Sequence, residues 1–336
     1  MEIKNKIKNR ERVIWWNGKL IPEREAKLSI YDSALMFGDM VFEMTRSFNK
    51  KQFKLRGHLE RLYASAKFLE ISINMNIDEM EKYCYEVIKA NDPVFNKDDE
   101  HRLMIDITRG LLSIYKDTVG GHIGPNIIIA DFPLRWTVRG MGKLYDEGVN
   151  AVIPSQRAIP AQLLEPKVKN RSRLYYLMAN IQVSKYKGEN VWALLLDPDG
   201  FIAEGTGDNF FIVKDKKLFT PEPRNILRGI SRKYIIEELC PQLGLECYEK
   251  NLELYDVVVA DEAFYTATPF CIMPATKING LKIGDGKMGK ITKQLLDKWS
   301  SNVGVDIVQQ IKKWNLKEGA GENFKGPSPY FFGENE

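Results

Sequence analysis

Short apolar runs separated by polar turns are the feature that most restricts how this chain can fold. The longest of them, such as residues 191–196, span about six residues, whereas a membrane-spanning helix needs ~20. Runs of that length are typical of buried strands, and the Asn-Gly pair at 17–18 and DPDG at 197–200 are turn sequences. Residues 1–12 contain no apolar core of a secretory signal. We therefore expect a soluble, cytoplasmic protein that contains strands and does not bind a membrane.

Helical patterns alternate with these strands in both halves of the chain. Residues 57–71 carry their leucines on one helical face, and further helices are predicted over 77–90, 171–187 and 230–239. An apolar strand is predicted between the first helices and the middle of the chain, over residues 102–108. This mixture predicts the α/β (α+β) class.

A stretch rich in glycine and charge, residues 135–148, separates two regions of different composition. The 336 residues are enough for about two domains, and we place the boundary in this stretch. The aromatic residues near the C-terminus either dock on a partner subunit or belong to a disordered end. The predicted parts are a smaller N-terminal α/β domain over residues 1–145, a larger C-terminal domain over 146–316 and an extended tail over 317–336.

Charge and the supply of reactive residues exclude several classes of function. The net charge is only +4 and no basic block is interleaved with aromatic residues, which argues against a nucleic-acid partner. The three histidines, His58, His101 and His122, lie far apart and have no cysteine or glutamate at metal-ligand spacing. The four cysteines form no CxxC pair, which is typical of reduced thiols in the cytoplasm. We expect no metal site, and chemistry carried by other residues or by a cofactor.

Two motifs have the outline of binding loops, but ordinary turns explain both. GDGKMGK at 284–290 fits a phosphate-binding loop, yet Ile291 stands where a serine or threonine would bind magnesium, and no buried parallel strand precedes it. DPDG at 197–200 lacks the later ligands of a calcium loop. We expect a polar turn before a helix at the first position and a hairpin turn at the second.

Three other positions each allow a structural and a functional interpretation. Arg61 on its helix is either a solvated charge or a planar fork that binds a phosphate. LRGISR at 227–232 opens a helix whose free N–H groups either bind an anion or are capped by Ser231. Glu204 ends an apolar strand, where its carboxylate is either partly buried with a partner or exposed in a turn.

The order of these motifs carries more information than any one of them. From Trp16 to Trp314 it resembles the class IV (fold type IV) pyridoxal-phosphate-dependent aminotransferases, which include branched-chain and D-amino-acid aminotransferases, aminodeoxychorismate lyases and (R)-amine transaminases. The segments that carry the resemblance are NGK at 17–19, GDMVFE at 38–43, HLERLYASA at 58–66, VKNRSRLYYLMA at 168–179, LLLDPDGFIAEGTGDNFF at 194–211, LFTP at 218–221, ILRGISR at 226–232, DEAFYTAT at 261–268 and IMPATKINGLKIGDG at 272–286.

The resemblance implies two α/β domains with pyridoxal 5′-phosphate at their interface, in a homodimer whose partner loop helps close each site. It implies that Lys169 forms the Schiff base, with Lys167 as the nearby rival. Lys169 is preferred because Arg173 and Leu174 follow it at the family's spacing. The other cofactor-binding residues that the resemblance implies are Arg61, Ile230, Ser231 and Thr268 at the phosphate, Glu204 at the pyridine nitrogen, Leu227 on the ring, and Gly207.

Physical chemistry agrees with these implied roles. A lysine amine must be neutral to form an imine, so burial or nearby cations must lower its pKa from about 10.4. Glu204 as a carboxylate would keep the ring nitrogen protonated, so that the ring withdraws electrons from the substrate. A site built from a lysine and this cofactor needs no imidazole, which explains the scarcity of histidine.

The substrate side of the site departs from the family pattern. Phe37 and Leu174 stand where branched-chain enzymes carry tyrosines, and no Arg-x-His pair of the D-amino-acid type follows TRG at 108–110. The residue that binds the substrate carboxylate stays open between Arg46 and Arg109, each of which could equally form a structural ion pair. The residues predicted to line the substrate pocket are Phe37, Phe42, Arg46, Arg109, Thr266 and Ala267.

We therefore predict an aminotransferase that moves an amino group between a small-molecule amino donor, with branched-chain amino acids as candidates, and a 2-oxo acid acceptor. The alternatives on the same fold are a D-amino-acid or (R)-amine transaminase and a lyase that acts by elimination, as aminodeoxychorismate lyase does. A nucleotide-binding protein that uses GDGKMGK is a third alternative. A non-catalytic homologue is a fourth, against which the retention of every cofactor-matching residue argues.

Overall fold

The computed structural model describes residues 11–186, 188 and 190–317. The described backbone forms two compact units, the first from residues 11–137 with 168–172 and the second from the other described residues. Of the predicted tail, residues 318–336 lie outside the described residues. None of the described helices is both long enough and apolar enough to cross a membrane.

This division differs from the predicted one in two places. Residues 138–145 pack with the second unit, where the hydroxyl of Tyr145 donates to the carbonyl of Phe270 at 2.8 Å. Residues 168–172 return to the first unit, where Val168 is buried in the core. Backbone packing therefore brings the predicted lysine to the unit that precedes it in the sequence.

The first unit is an antiparallel sheet covered by two long helices. Its described strands are β1 (Val13–Trp16), β2 (Lys19–Pro22), β3 (Met40–Met44), β4 (Ser47–Phe48), β5 (Lys51–Gln52), β6 (His101–Thr108) and β7 (Asn126–Pro133). Five of them pair in the order β2-β1-β7-β6-β3, and β4 and β5 form a separate hairpin. Its described helices are α1 (Ser33–Phe37), α2 (Leu55–Phe68), α3 (Ile77–Asn91), α4 (Lys116–Val119) and α5 (Arg135–Val138).

Helices α2 and α3 form for reasons visible in the sequence. The side chain of Asn76 accepts from the backbone of Glu79 at 2.9 Å, and Glu79 accepts in return from Asn76 at 2.8 Å, a capping box that starts α3. Leucines at helical spacing on α2, among them Leu59 and Leu62, are fully buried against the sheet. This packing fixes α2 beside β3, where the first half of the site lies.

The second unit is a mixed sheet. Its described strands are β8 (Val149–Val152), β9 (Val191–Leu196), β10 (Ile202–Gly205), β11 (Asn209–Lys214), β12 (Lys217–Thr220), β13 (Cys247–Glu249), β14 (Glu262–Ala267), β15 (Cys271–Ile278) and β16 (Leu281–Lys282). They pair in the order β10-β9-β8-β15-β14-β11-β12-β13, with β16 on β15. Pairing is parallel where β8 joins β9 and β15, and where β12 joins β13.

The described helices of the second unit pack around this sheet. They are α6 (Leu144–Glu147), α7 (Leu174–Ser184), α8 (Ile230–Tyr234), α9 (Cys240–Leu243), α10 (Leu254–Val258), α11 (Lys290–Val303) and α12 (Ile307–Lys317). A π-helical turn over Ile235–Leu239 joins α8 to α9. The predicted helix over 230–239 therefore continues through a wider turn instead of ending.

Both loop-like motifs are turns in the structure. The N-terminus of α11, which follows GDGKMGK, is occupied by the carboxylate of Glu262, which accepts from the backbone of Ile291 at 2.9 Å and of Thr292 at 2.7 Å. A phosphate would meet that carboxylate, so the nucleotide-binding alternative is wrong. In DPDG, the side chain of Asp197 accepts from the backbone of Asp199 and Phe201, both at 3.0 Å, and so closes the turn.

Candidate active site

The segment that carries Lys169 is held by the backbone on both sides. The amide of Phe42 on β3 donates to the carbonyl of Lys169 at 2.9 Å, and the amide of Lys169 donates to Oγ of Ser65 on α2 at 3.2 Å. The Nζ atom of Lys169 lies 4.6 Å from the centre of the Phe42 ring. The amine therefore has a fixed base and an apolar aromatic neighbour.

Lys167, the rival lysine, belongs to the second unit and has structural partners there. Its Nζ lies 2.5 Å from Oε1 of Glu165 and donates to the carbonyl of Arg224 at 3.1 Å. An amine held by a carboxylate and a carbonyl is already committed to structural contacts and would have to leave them to form an imine. The surroundings therefore favour Lys169.

The buried face of α2 presents a guanidinium and an imidazole to a single carboxylate. His58 and Arg61 lie one helical turn apart and face Glu43 on β3. The two oxygens of Glu43 accept from Nε of Arg61 at 2.6 Å, from Nη2 of Arg61 at 2.8 Å and from Nδ1 of His58 at 2.7 Å. Glu43 and His58 are fully buried. The guanidinium and the imidazole are therefore held side by side.

The electrostatics of this cluster keep Glu43 ionised. Burial alone would raise the pKa of Glu43, but the Arg61 guanidinium and the His58 ring hold it well below its usual range. Burial lowers the pKa of His58, and Arg61 and Lys169 lower it further, against the opposite effect of Glu43. The cluster thus favours an ionised Glu43 and a neutral His58 ring beside the Arg61 guanidinium.

In the second unit, Glu204 at the end of β10 is a buried carboxylate with donors at both oxygens. The hydroxyl of Tyr176 donates to Oε1 at 2.6 Å, whereas Nδ2 of Asn209 and the amide of Leu227 donate to Oε2 at 3.0 and 3.1 Å. Burial and then Glu204 raise the pKa of Tyr176 well above its usual value, so its hydroxyl stays a donor. All three partners donate, which a carboxylate accepts without a proton of its own.

The neighbouring carboxyl, Asp208, is different. Burial, and then the charge of Glu204, raise the pKa of Asp208 well above its usual range. This shift favours the neutral form of Asp208, whereas the three donors around Glu204 favour the charged carboxylate there. The choice between a buried, partnered Glu204 and an exposed turn acid, which the sequence leaves open, is settled for burial.

The predicted phosphate residues of the second unit gather at the start of α8. Gly229 is the N-cap, and Ile230 and Ser231 supply backbone N–H groups that have no partner within the helix. An ideal Cβ on Gly229 would lie 2.1 Å from Oδ1 of Asn209, so only glycine allows the amide that holds Glu204 to approach. Asn209 thereby links the start of α8, which its side chain approaches at Gly229, to the carboxylate of Glu204, to which it donates.

The turn between β14 and β15 carries three further predicted residues. Thr266 and Ala267 are buried at the end of β14, and Thr268 follows them half-buried. The hydroxyl of Thr266 donates to the carbonyl of Cys271 at 2.6 Å, which closes the turn. Gly207, in contrast, is exposed in the turn after β10, and nothing lies within 4 Å of an ideal Cβ there.

The two arginines predicted as candidates for the substrate carboxylate differ in their surroundings. Arg109 donates to Asp39 at 2.5 and 3.1 Å and to the carbonyls of Leu69 and Glu70, which favours its structural interpretation. Arg46 is fully buried, with its guanidinium 3.8 Å from the centre of the Phe48 ring. Arg46 acts electrostatically on a second buried arginine, Arg102, and so belongs to a larger group of cations.

Two members of that group, Arg102 and Arg171, are absent from the sequence-based prediction. Arg102 on β6 is 6% exposed, and its Nε and Nη1 atoms have no hydrogen-bond partner among the described residues. Burial, then Arg46 and then Arg171, lower the pKa of Arg102 to about 9. Arg171 lies 3.7 Å from the centre of the Phe42 ring and pairs with Asp106 at 3.0 Å. A buried, partly unsatisfied guanidinium in such company requires an anion.

A sequence signal for Arg102 did exist. The strand HRLMIDIT at 101–108 is buried along almost its whole length, and Arg102 is a charged residue within this apolar pattern.

The two phenylalanines predicted to line the pocket differ in exposure. Phe37 is 64% exposed, whereas Phe42 is fully buried next to the cations.

Comparison with known proteins identifies the family. The family profile described as Amino-transferase class IV matches residues 40–278. The branched-chain-amino-acid aminotransferase of Escherichia coli strain K12 is 31% identical over 294 residues, which cover 84% of this chain and 90% of that protein. The crystal structure of the T.th. branched-chain amino acid aminotransferase with pyridoxamine 5′-phosphate matches with a TM-score of 0.78 at 26% identity, covering 87% of this chain and 94% of that chain. The crystal structure of the branched-chain aminotransferase of Thermoproteus uzoniensis with norvaline matches with a TM-score of 0.76 at 28% identity. The match covers 90% of this chain and 97% of that chain.

The chain therefore belongs to the class IV aminotransferases and has the fold type IV architecture of these enzymes. It is a pyridoxal-phosphate-dependent aminotransferase. The predictions of family, fold class and enzyme class are confirmed. The roles of the individual site residues stay predictions.

The described residues fit pyridoxal phosphate in each unit taken by itself. In the first unit, the Nε2 atom of His58 is buried and has no hydrogen-bond partner among the described residues, next to the guanidinium of Arg61. In the second unit, Glu204 is held by three donors, and Gly229 leaves the start of α8 open. Cations and helix N–H groups suit a phosphate, and a buried carboxylate suits a protonated ring nitrogen.

Replacing Gly229 by alanine tests this construction. The added Cβ would displace Asn209 and so release Glu204, and we expect kcat/KM to fall roughly 10- to 100-fold, as small misplacements of catalytic groups do. Gly244→Ala, whose Cβ meets nothing within 4 Å at the other end of the same helical segment, is the control for lost stability. A Gly229→Ala enzyme with unchanged kcat/KM would show that this network does not set the site.

Proposed function

We propose that this enzyme is a branched-chain-amino-acid aminotransferase that holds pyridoxal 5′-phosphate through Lys169. The relatives with this printed name support the choice of amino donor. The observation that carries the choice of lysine is its fixation between Phe42 and Ser65, in the unit that also holds Arg61. The bound cofactor supplies an electron-withdrawing ring, and this chain supplies the acids, bases and anion-binding groups around it.

Each predicted residue has one task in this proposal. Lys169 moves the proton at the substrate's α-carbon through Nζ. Glu204 binds the protonated ring nitrogen. Leu227, whose backbone amide donates a hydrogen bond to Glu204, packs on the ring. The groups proposed to bind the phosphate are the Arg61 guanidinium, the backbone and hydroxyl of Ser231, the backbone of Ile230 and the hydroxyl of Thr268.

Chemical trapping distinguishes the two lysines. Reduction of the cofactor-loaded enzyme with borohydride should fix the cofactor on Lys169, because that amine is the one beside Phe42 and close to His58. Peptide mass mapping would place the added mass on Lys169, and Lys169→Ala should lose it together with the visible absorbance. Lys167→Ala, the matched control two positions away, should keep both. Trapping on Lys167 would overturn the assignment.

We also propose that the cluster of Arg46, Arg102 and Arg171 binds the second carboxylate of a dicarboxylic 2-oxo acid. The two unsatisfied nitrogens of Arg102 support this, because the fork of a guanidinium matches the two oxygens of a carboxylate. The Phe42 ring under Lys169 and Arg171 supplies an apolar surface beside them. A site with both features suits an apolar amino donor in one half-reaction and an acidic 2-oxo acid in the other.

Kinetics with Arg102→Gln test this assignment. We expect KM for a dicarboxylic 2-oxo acid to rise roughly 10- to 100-fold, the loss of a charge-assisted hydrogen bond, with a smaller effect on monocarboxylic acceptors. Arg109→Gln, the control, should lower stability more than it changes KM, because its partners are Asp39 and two carbonyls. A fall in kcat with every KM unchanged in Arg102→Gln would contradict the carboxylate role.

A panel of L-amino acids, D-amino acids and (R)-amines, tested with the wild-type enzyme, identifies the amino donor.

We propose a cytoplasmic homodimer. Ile30, Leu35, Phe37 and Ile114 are each at least 64% exposed, although they are apolar. The rings of Tyr31 and Tyr115 pack with centres 5.0 Å apart and so join the two segments into one surface. A patch of this kind favours burial against a second subunit. The four cysteines are thiols and form no disulfide with one another, which agrees with a reducing compartment.

A further inference from the structure

Of the two ring nitrogens of His58, one has a hydrogen-bond partner among the described residues and the other has none. Its ring is fully buried, Nδ1 lies 2.7 Å from Oε2 of Glu43, and Nε2 has no hydrogen-bond partner among the described residues. An unpaired buried polar atom costs free energy, so its retention calls for a partner that arrives from outside the chain.

The position of that nitrogen relates it to Arg61. Oε2 of Glu43 accepts from both Nδ1 of His58 and Nη2 of Arg61, at 2.7 and 2.8 Å. Because one oxygen contacts both the guanidinium and the imidazole, an anion that reaches the Arg61 guanidinium also comes close to the His58 ring. Lys169, the residue proposed to hold the cofactor, acts electrostatically on the same ring.

Hydrogen-bond chemistry fixes the state of the ring. Glu43 is ionised and can only accept, so Nδ1 of His58 must carry a hydrogen. In the neutral ring Nε2 is then a bare acceptor, which a phosphate dianion would repel. Nε2 can donate to a phosphate only if the ring gains a second proton, and the resulting imidazolium would lie between two anions.

The charged groups that face His58 agree with such a change on binding. They are Glu43 on β3, Arg61 on the same helix and Lys169 on the returning segment. Burial and the two cations lower the pKa of the ring and so favour its neutral form. A phosphate would offset these cations and add a second negative neighbour, so the balance of charge would reverse in favour of the imidazolium.

We propose that His58 is a second phosphate-binding side chain of this enzyme, which takes up one proton from solvent when the phosphate of the cofactor binds and then donates through Nε2. The proposal rests on the proposed function in placing the phosphate at Arg61. It adds a positioning role for Glu43, which holds both donors, and a pH dependence of cofactor binding that the arginine alone would not produce.

Nitrogen-detected or long-range ¹H–¹⁵N NMR of the histidine rings tests the proposal without a variant. The chain has only three histidines, so assignment needs few controls. The probe is pyridoxamine 5′-phosphate, which has no aldehyde and forms no bond to Lys169. With the probe bound above pH 7, we expect Nε2 of His58 to change from unprotonated to protonated. An Nε2 that stays bare in the saturated complex overturns the proposal while leaving the proposed function intact.

Calorimetry on variants gives a second readout. In buffers of different ionisation enthalpy, wild type should take up about one more proton with pyridoxamine 5′-phosphate than His58→Asn does, because asparagine can keep the Glu43 contact but has no Nε2. His58→Asn should also bind the probe roughly tenfold more weakly, the loss of a charge-assisted hydrogen bond, and bind pyridoxamine as before. Equal proton uptake in both proteins contradicts the proposal.

The control variant and the failure of binding separate the remaining outcomes. His122→Asn, which alters an exposed ring that contacts the carbonyl of Pro125 at 3.1 Å, should behave as wild type. If wild type binds pyridoxamine and its phosphate ester equally well, no phosphate site exists at Arg61, and the proposal for His58 falls together with the phosphate role of Arg61.

Discussion

One buried carboxylate, Glu43, organises the candidate site residues of the first unit. An ionised carboxylate in the interior is costly unless it is paired, and Glu43 is paired three times, by two nitrogens of Arg61 and one of His58. These contacts tie α2 to β3 and hold the guanidinium in one orientation. The neighbouring residue Phe42 anchors the segment of Lys169 through its backbone. Lys169 and the two side chains proposed to bind the phosphate, Arg61 and His58, are thus positioned from one short strand.

The candidate site residues of the second unit show the opposite arrangement. There a carboxylate, Glu204, is the group to be positioned, and neutral donors surround it: a tyrosine hydroxyl, an asparagine amide and a backbone amide. Neutral donors orient the carboxylate but do not cancel its charge, so that charge stays available for a protonated ring nitrogen. The charge of Glu43, in contrast, is paired with the charge of the Arg61 guanidinium. The two acids differ in role because their partners differ in charge.

Much of the fold could be predicted from the sequence, because strands such as 191–196 and helices such as 77–91 follow local rules of periodicity and capping. The order of the motifs also pointed to Lys169, Arg61 and Glu204. The partners of these residues could not be predicted. Glu43 and Arg61 are 18 positions apart, Arg171 and Asp106 are 65 apart, and only folding brings them together. Arg102 is not predicted either, because a single charge in an apolar strand pattern does not show which side chains will surround it.

The most direct test measures how much cofactor affinity depends on Glu43. The measured quantity is the ratio of the affinities for pyridoxamine 5′-phosphate and pyridoxamine, in wild type and in Glu43→Gln, with folding of the variant checked by its circular dichroism. If Glu43 orients Arg61 and His58 toward the phosphate, the ratio should fall roughly tenfold or more, since two charge-assisted contacts lose their support. A ratio unchanged in the folded variant would contradict the organising role of this carboxylate.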